Sequence, residues 1–206
     1  MTIQDIMIQR GIRHLMHFTR TENLRSILCN GLIPREDLYG SGAVFNDLYR
    51  YDRCENAVCT TIEFPNYRMF FSLRQNDPDS AWAVLQLSAD ILMEFDCAFC
   101  QTNAGSEASY TTPLEDRMGA VALASLYAPV ARGVKRSPFI PPAYPTDPQA
   151  EVLVFGTIPP AYIQAVYFHD LETLRLFGDL QGAVPLTINK GLFSYRTDFK
   201  QWQAAT

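Results

Sequence analysis

The sequence predicts an α+β domain in which several short, antiparallel strands are connected by short helices and loops. Apolar residues alternate over short runs, of which residues 151–156 (EVLVFG) are the best strand pattern. These runs are not separated by the regular helices of a βαβ series, which argues against a doubly wound parallel sheet. Because 48% of the 206 residues are apolar, the chain can build one ample core, and we expect one domain over residues 1–206.

The first third of the chain predicts a strand, a helix and a long loop. Residues 14–19 (HLMHFT) read as a strand, and a short helix follows, with Thr19 or Thr21 as its N-cap and Asn30-Gly31 as its stop signal. Residues 36–56 mix polar and aromatic types without a period. That pattern is typical of a long loop, the kind of segment that often carries function.

Two further strands and two helical turns are predicted in the middle of the chain. The strands are residues 57–64 (AVCTTIEF) and 81–87 (AWAVLQL). Pro65-Asn66 breaks the first of them, and a helical turn over residues 67–74 follows. We expect Ser88 to cap a second helical turn that runs to Glu94.

The second half predicts one longer helix, a proline-rich loop and the remaining strands. The apolar spacing from 113 to 131 is helical, and residues 137–148 contain five prolines, which indicates a loop. Strands follow at 151–156 and 165–169, and the tail from Pro185 reads as a strand followed by an exposed end.

Charge and cysteine usage exclude several classes of protein. The net charge of -5 argues against a surface that grips nucleic acid everywhere, although a local basic groove remains compatible. No run of 18 apolar residues occurs and the first residues lack a signal-peptide order, so we expect a soluble, cytoplasmic protein with no membrane partner. The five cysteines are odd in number and irregular in spacing, which predicts free thiols.

Cys97 and Cys100 form a lone CxxC pair. A structural zinc site needs a second pair of ligands, and the three histidines do not supply one at a suitable spacing. We therefore favour packing over metal binding or redox chemistry for this pair, and we expect no metal.

The junction between the first strand and its helix brings together His17, Thr19 and Asn23. An imidazole, a hydroxyl and an amide would lie beside the unpaired backbone N–H groups of a helix start, a combination that can hold a polar ligand. The alternative is that threonine and asparagine cap the helix beside a structural histidine.

Glu151 opens an otherwise apolar strand directly after the proline-rich loop. A carboxylate at such a position costs desolvation unless it is paired or used in chemistry. Gln149 stands two residues earlier, so both side chains would point the same way and form a Gln-x-Glu edge. A solvated glutamate at a strand end is the alternative.

Positive charge suggests where phosphate groups would be bound. Arg50 and Arg53 lie in the irregular loop, where a guanidinium can bind phosphate oxygens in a fork geometry or pair with a neighbouring carboxylate. No acidic residue occurs between Arg117 and Thr146. That stretch suits stacked bases and a phosphate track, or a solvated face, and it contains Arg117, Arg132, Lys135 and Arg136 with the rings of Tyr127, Phe139 and Tyr144.

Three segments resemble the signature blocks of the DarT family of nucleic-acid ADP-ribosyltransferases. They are RHLMHFTRTENLRSILCNGLIP, VCTTIEFPNYRMFF and PQAEVLVFG, and their order and spacing fit the family. The resemblance runs from about residue 12 to residue 170. It implies an ADP-ribosyltransferase-like split, mixed or antiparallel sheet with flanking helices and an NAD cleft between its two parts.

The resemblance also implies roles for individual residues. His17, Thr19 and Asn23 match the NAD-contacting block, Met69 matches a pocket methionine, and Glu151 matches the glutamate of the transferase step. The catalytic arginine of the family lies in the variable loop, where Arg53 fits best. Arg50 stays open as an alternative or as a further NAD contact. The chain lacks a GxGxxG fingerprint, so its NAD pocket is not of the Rossmann kind.

The implied reaction is transfer of ADP-ribose from NAD to a nucleobase by a toxin-like enzyme with a cognate antitoxin. We expect single-stranded DNA as the acceptor, because the base must be accessible. Acceptor contacts are expected on residues 137–150 and from Gln149, Arg132, Lys135, Arg136 and Tyr144. Modification of RNA, modification of protein, and a catalytically silent module that binds NAD or nucleic acid are the alternatives.

Overall fold

A seven-stranded mixed sheet forms the frame of the molecule. The computed structural model describes residues 1–45, 51–130, 135–180, 182 and 184–203. In chain order the strands are β1 (His14–Arg20), β2 (Ala57–Ile62), β3 (Trp82–Ser88), β4 (Cys97–Cys100), β5 (Glu151–Phe155), β6 (Ile163–Phe168) and β7 (Leu186–Ile188). They lie in the order β4-β5-β2-β1-β3-β6-β7, and all neighbours are antiparallel except β6 and β7, which are parallel.

Short helices flank this sheet. They are α1 (Ile3–Arg10), α2 (Leu24–Asn30), α3 (Tyr67–Asn76), α4 (Ile91–Glu94), α5 (Glu107–Tyr110), α6 (Gly119–Ser125), α7 (Leu171–Arg175) and α8 (Phe199–Gln203). The side chain of Asn66 caps α3 by accepting a hydrogen bond of 3.2 Å from the backbone N–H of Met69. Within the described residues, no helix is long and apolar enough to cross a membrane.

The sheet splits between β1 and β2. These strands pair only where Leu15 faces Ile62 and Met16 faces Thr61, whereas β1 pairs with β3 along all seven of its residues. From His17 onwards β1 therefore follows β3 and separates from β2. The expected split sheet is confirmed, and the separation opens a cleft between β1 on one side and β2 with β5 on the other.

Alternation along the strands sends neighbouring side chains into different cores. Leu15 packs in the large core with α1, α2, α4 and α6, while Met16 packs in a smaller cluster on the opposite face with Phe70 and Trp82. Phe18 stacks on Phe70 at a ring-centroid distance of 4.5 Å, which ties β1 to α3. The two clusters fix the positions of β1 and α3, both of which border the cleft.

The strand predictions are confirmed, with boundaries that move by up to two residues at each end. The sequence patterns missed α1 and β4, and also the short helices α5, α7 and α8. The prediction of one helix over 113–131 is wrong, because a 3-10 turn at Glu115–Arg117 precedes a short α6. Gly119, the first residue of α6, has a φ of +78° and prevents one continuous helix.

The predicted caps and the predicted exposed tail are also wrong. Thr19 and Thr21 do not cap α2: the Thr19 hydroxyl accepts from the Asn23 amide, and the Thr21 hydroxyl donates to the Ala81 carbonyl. Asp90, to which the Ser88 hydroxyl donates a hydrogen bond, occupies the N-cap position of α4. The tail after β7 is partly buried, because Arg196, Asp198 and Trp202 pack inside the molecule.

Candidate active site

The cleft at the split of the sheet brings together most of the residues that the sequence singles out. Its volume is about 820 Å³. That volume lies within the range of about 300–1,000 Å³ that is usual for small-molecule sites. Among its lining residues are His17, Thr19, Asn23, Met69, Gln149 and Glu151.

Glu151 is the buried carboxylate of this cleft. It opens β5 opposite Cys100 of β4, and only 6% of it is exposed. Its Oε2 accepts a hydrogen bond of 2.8 Å from the backbone N–H of Ala104. Its Oε1 accepts from the side-chain amides of Asn66 (3.1 Å) and Asn103 (3.3 Å). Three donors from two segments therefore hold the carboxylate in one orientation.

Sequence reasoning missed Asn66 and Asn103, although both hold Glu151. Asn66 is fully buried and uses its two amide atoms separately, since Oδ1 caps α3 while Nδ2 donates to Glu151. Asn103 accepts from the N–H of Gly105 and donates to Glu151 and to the sulfur of Met69. The Pro65-Asn66 pair before a helical run is an N-cap signal, but no local pattern indicates a bond across 85 residues.

His17 bridges the two sides of the split sheet. Its Nδ1 lies 2.8 Å from the carbonyl oxygen of Cys59 in β2. A carbonyl can only accept, so Nδ1 carries the proton and Nε2 of the neutral ring is an acceptor. Burial lowers the pKa of His17, and the hydrogen bond to Cys59 opposes this only in part. The cleft therefore contains a neutral imidazole whose Nε2 can accept a hydrogen bond from a ligand.

Thr19 and Asn23 line the cleft beyond His17. Thr19 is 2% exposed, and its hydroxyl accepts a hydrogen bond of 3.2 Å from Asn23 Nδ2. The amide of Asn23 also pairs with the backbone of Val44, donating to the carbonyl (2.8 Å) and accepting from the N–H (2.9 Å). Asn23 thus holds the loop at 41–45 beside the cleft.

Gln149 approaches the cleft from the turn before β5. Its backbone N–H donates to the carboxylate of Asp147 at 2.8 Å, and its side chain is half-buried. Burial raises the pKa of Asp147, while hydrogen bonds from Gln149 and Thr102 and the positive charges of Arg196 and Arg68 oppose the rise. Gln149 and Glu151 both line the cleft, although Gln149 lies in the turn before β5 and not on the strand itself.

The structure separates the arginine candidates. Arg50 lies outside the described residues. Arg53 is exposed, has a φ of +59°, and places its guanidinium 5.7 Å from the ring centre of Tyr110, outside the cleft lining. Its neighbours Tyr51 and Asp52 do line the cleft. Two arginines that sequence reasoning missed, Arg35 and Arg68, line it as well.

The residues proposed to bind the acceptor have mixed placements. Arg132 lies outside the described residues. Arg136 donates to the carbonyls of Pro141, Pro142 and Tyr144, and the ring of Tyr144 packs on Phe64 at 5.7 Å. Lys135 is exposed. None of these three lines the cleft itself, and their acceptor contacts stay predictions.

Cys97 and Cys100 of β4 are packed thiols in the described structure. Both are buried, and burial raises the pKa of Cys97 to about 12 and that of Cys100 to about 11. The described residues contain no group of three metal ligands. Arg117, which is 7% exposed, donates to the sulfur of Cys100 at 3.6 Å.

Comparison with known proteins identifies the family. A profile described as "ssDNA thymidine ADP-ribosyltransferase, DarT" matches residues 16–177. No curated protein sequence matches the chain.

Three solved structures share the fold. Thermosipho africanus DarTG in complex with ADP-ribose aligns with a TM-score of 0.62 and 18% identity, covering 88% of this chain and 51% of that one. Thermus sp. 2.9 DarT in complex with NAD+ aligns with a TM-score of 0.56 and 16% identity, covering 88% of this chain and 97% of that one. The same Thermus protein in complex with ADP-ribosylated ssDNA aligns with a TM-score of 0.58 and 15% identity, covering 89% of this chain and 97% of that one.

These likenesses establish the fold, and the chain spans about half the length of the Thermosipho protein. The family profile covers most of the chain, including β1 from Met16 onwards, β2, α3 and β5, and so both sides of the cleft. The split sheet and the buried glutamate are found where the signature blocks place them. The chain belongs to the DarT family of ADP-ribosyltransferases.

Proposed function

We propose that this protein transfers ADP-ribose from NAD to a thymidine base in single-stranded DNA and releases nicotinamide. The observation that carries the proposal is the buried carboxylate of Glu151, fixed by three donors at the wall of a cleft whose opposite wall contains His17 and Thr19. Membership of the DarT family, which is described by this activity, supports it.

The cleft has the chemistry that a dinucleotide needs. The neutral ring of His17 offers an acceptor at Nε2 for a ribose hydroxyl or an amide N–H. Thr19, Asn23 and Met69 line the cleft beside it, and Arg35 supplies positive charge for a diphosphate. We assign the NAD contacts to these residues.

Glu151 has two tasks in the proposed reaction. Breaking the bond between C1′ of the ribose and the nicotinamide nitrogen builds positive charge on the sugar, which a nearby carboxylate stabilises. The electron pair of that bond leaves with neutral nicotinamide. The ring nitrogen N3 of thymidine forms the new bond to C1′, and its proton passes to the carboxylate of Glu151.

Arg53 remains our proposed catalytic arginine, holding the diphosphate. Its positive φ is uncommon for a residue with a side chain, and such strain is concentrated at functional sites. It also follows directly on Tyr51 and Asp52 of the cleft lining. Separate replacement of Arg53 and of Arg50 by alanine tests the assignment: the catalytic arginine is the one whose loss abolishes turnover.

Three further features belong to the proposal. Residues 137–150 lead into Glu151 and are proposed to face the acceptor strand. The cysteines are free thiols, which supports a reducing compartment, and we place the reaction in the cytoplasm. We also propose a cognate antitoxin, the partner that the family resemblance implies.

One assay tests the function. The protein is incubated with NAD labelled in its adenylate part and, in parallel, with thymidine-containing single-stranded DNA, the same strand without thymidine, RNA, and cell protein. We expect label on the thymidine-containing strand alone. Label on RNA or on protein instead would show that this polymer, and not DNA, is the acceptor. Intact NAD with no labelled polymer would indicate a module that binds but does not catalyse.

A further inference from the structure

A second cavity adjoins the cleft on the side of Glu151. Its volume is about 840 Å³, and it shares Arg68 and Gln149 with the cleft. Hydroxyl and amide groups line much of it, including those of Gln101, Thr102 and Ser106. The two cavities therefore meet at Arg68 and Gln149. Gln149 lies two residues before Glu151 in the chain.

Arg68 at this junction has an unusual environment. It lies in the first turn of α3, is half-buried, and makes no hydrogen bond or ion pair with any residue that the structure describes. Other half-buried arginines have direct contacts: Arg20 bonds to Asp77, Arg74 to the carbonyl of Phe193, and Arg136 to three loop carbonyls. Arg10 lies over the ring of Tyr127 at 4.4 Å. The charge of Arg68 opposes the rise in the pKa of Asp147 without a direct bond to that carboxylate, so its N–H donors suit an anionic ligand.

A phosphate at Arg68 could come from the NAD diphosphate or from the acceptor backbone. The position of Arg68 favours the acceptor, because it borders the second cavity as well as the cleft, next to Gln149. The other arginine of the cleft, Arg35, lies over the ring of Phe45, in the loop that Asn23 holds, and so serves the opposite end. Arg35 is the better placed of the two for the dinucleotide.

We propose that Arg68 binds a backbone phosphate of the acceptor strand where the strand passes from the cleft into the second cavity. The inference rests on the proposed function. Glu107, Asp116 and Asp147 line the second cavity, so the phosphate is placed at Arg68, where the two cavities meet. The interior suits the neighbouring base, whose N–H groups can donate to carboxylate and amide oxygens.

The proposal predicts a contact that depends on charge and not on base sequence. Each phosphate that a protein neutralises on a single strand contributes a slope of about 0.7 to the fall of log affinity with log salt concentration. Removing Arg68 should therefore weaken binding of every strand alike and reduce the salt dependence by one contact.

The test measures binding of a fluorescent oligothymidine by anisotropy over a range of KCl concentrations, without NAD. We expect Arg68→Ala to weaken binding by about tenfold at low salt. Its slope should fall by about 0.7, and Arg68→Lys should keep the wild-type slope. Arg175→Ala, an exposed charge removed from α7, controls for net charge and should leave the slope unchanged. Thermal unfolding checks that each variant is folded.

The outcomes separate this proposal from the function on which it rests. Wild-type binding and slope in a folded Arg68→Ala variant overturn the proposal, and a weaker NAD affinity in the same variant would assign Arg68 to the dinucleotide. Failure of the wild-type protein to transfer ADP-ribose, with strand binding that still depends on Arg68, would overturn the proposed function alone. A wild-type protein that neither binds the oligonucleotide nor transfers ADP-ribose to it overturns both.

Discussion

The two loops that border the cleft are held in very different ways. The loop at 135–150, which leads into Glu151, is fixed by buried and charged groups from other parts of the chain. The loop at 36–45, on the side of His17, is held by the half-buried amide of Asn23 and by bonds to Glu55. This contrast indicates that one wall of the cleft is rigid while the other opens at low cost in free energy.

A buried ion pair from the C-terminal segment fixes the loop before Glu151. Arg196 and Asp198 have side chains that are 2% and 1% exposed, and two parallel hydrogen bonds join them. The remaining donors of Arg196 reach the carbonyls of Pro145 (2.9 Å) and Thr146 (3.1 Å). The family match ends at residue 177, so this clamp lies outside the matched residues.

The loop on the other side depends on Asn23. Its amide makes two hydrogen bonds to the backbone of Val44, both in a partly exposed setting. Tyr39 donates to Glu55 at 2.7 Å, but that bond is also exposed. Exposed hydrogen bonds exchange readily with water, so this loop should open to admit NAD while the loop before Glu151 stays in place.

Breaking the buried clamp should have the largest effect on stability. Arg196→Ala leaves the Asp198 carboxylate buried without its cation, which we expect to lower the free energy of unfolding by about 3 kcal/mol. Chemical denaturation measures the change. Arg25→Ala, which breaks the exposed pair with Asp179, is the matched control and should cost about 1 kcal/mol or less. Equal losses in the two variants would show that the clamp does not fix the loop.

Removing the side-chain amide of Asn23 should destabilise the loop at 36–45 without disturbing the sheet. Asn23→Ala loses both bonds to Val44, and we expect a cost of about 1 kcal/mol in unfolding free energy. Hydrogen exchange of the Val44 amide should accelerate while exchange in β5 stays unchanged. Asn30→Ala, at an exposed amide bonded to Ser26, is the control. Protection of Val44 that survives in Asn23→Ala contradicts the assignment.

The clamp should also appear in the pH dependence of stability. Burial alone would raise the pKa of Asp198, but the hydrogen bonds and charge of Arg196, with a bond from Trp202, hold it below its ordinary value. Its contribution is therefore complete above the pKa of the unfolded chain and is lost as pH falls through the folded pKa. Denaturation at pH 6 and pH 3 should show a smaller acid loss for Asp198→Asn than for wild type. An equal loss would exclude this role.

The smallest expected effect is a shift in the pKa of His17, which NMR can measure. Because burial lowers the pKa of His17, its ring should titrate below the ordinary value of about 6.5. Stability linked to this ring is present above that ordinary value and is lost as pH falls towards the folded pKa. A pH series of NMR spectra, with His17→Gln to assign the signal, measures the midpoint. A midpoint above 6.5 would mean that the ring is not buried against Cys59.

Local patterns predicted the parts of the site that depend on neighbours in sequence. The EVLVFG run places Glu151 at the start of a strand, and the alternation in HLMHFT places His17 and Thr19 on β1. The bonds that hold Glu151 come from Asn66 and residues 103–104, 85 and 47–48 positions away. Patterns with a period of 2 or 3.6 carry no information about such pairings.

The tail illustrates the same limit. Arg196 and Asp198 are charged residues near the end of the chain, and composition alone suggests an exposed segment. Their burial follows from the two carbonyls at 145 and 146, which need donors because the proline-rich loop has few N–H groups of its own to share. Only the packed structure brings these partners together.

The central claim is that the carboxylate of Glu151 acts on NAD held in the cleft. The most direct test compares wild type and Glu151→Gln, an exchange that keeps size and removes charge, by single-turnover transfer to a thymidine strand and by calorimetric NAD affinity. We predict that transfer falls by about a thousandfold or more while NAD affinity changes by less than about tenfold. Transfer at the wild-type rate by the folded variant would contradict the account.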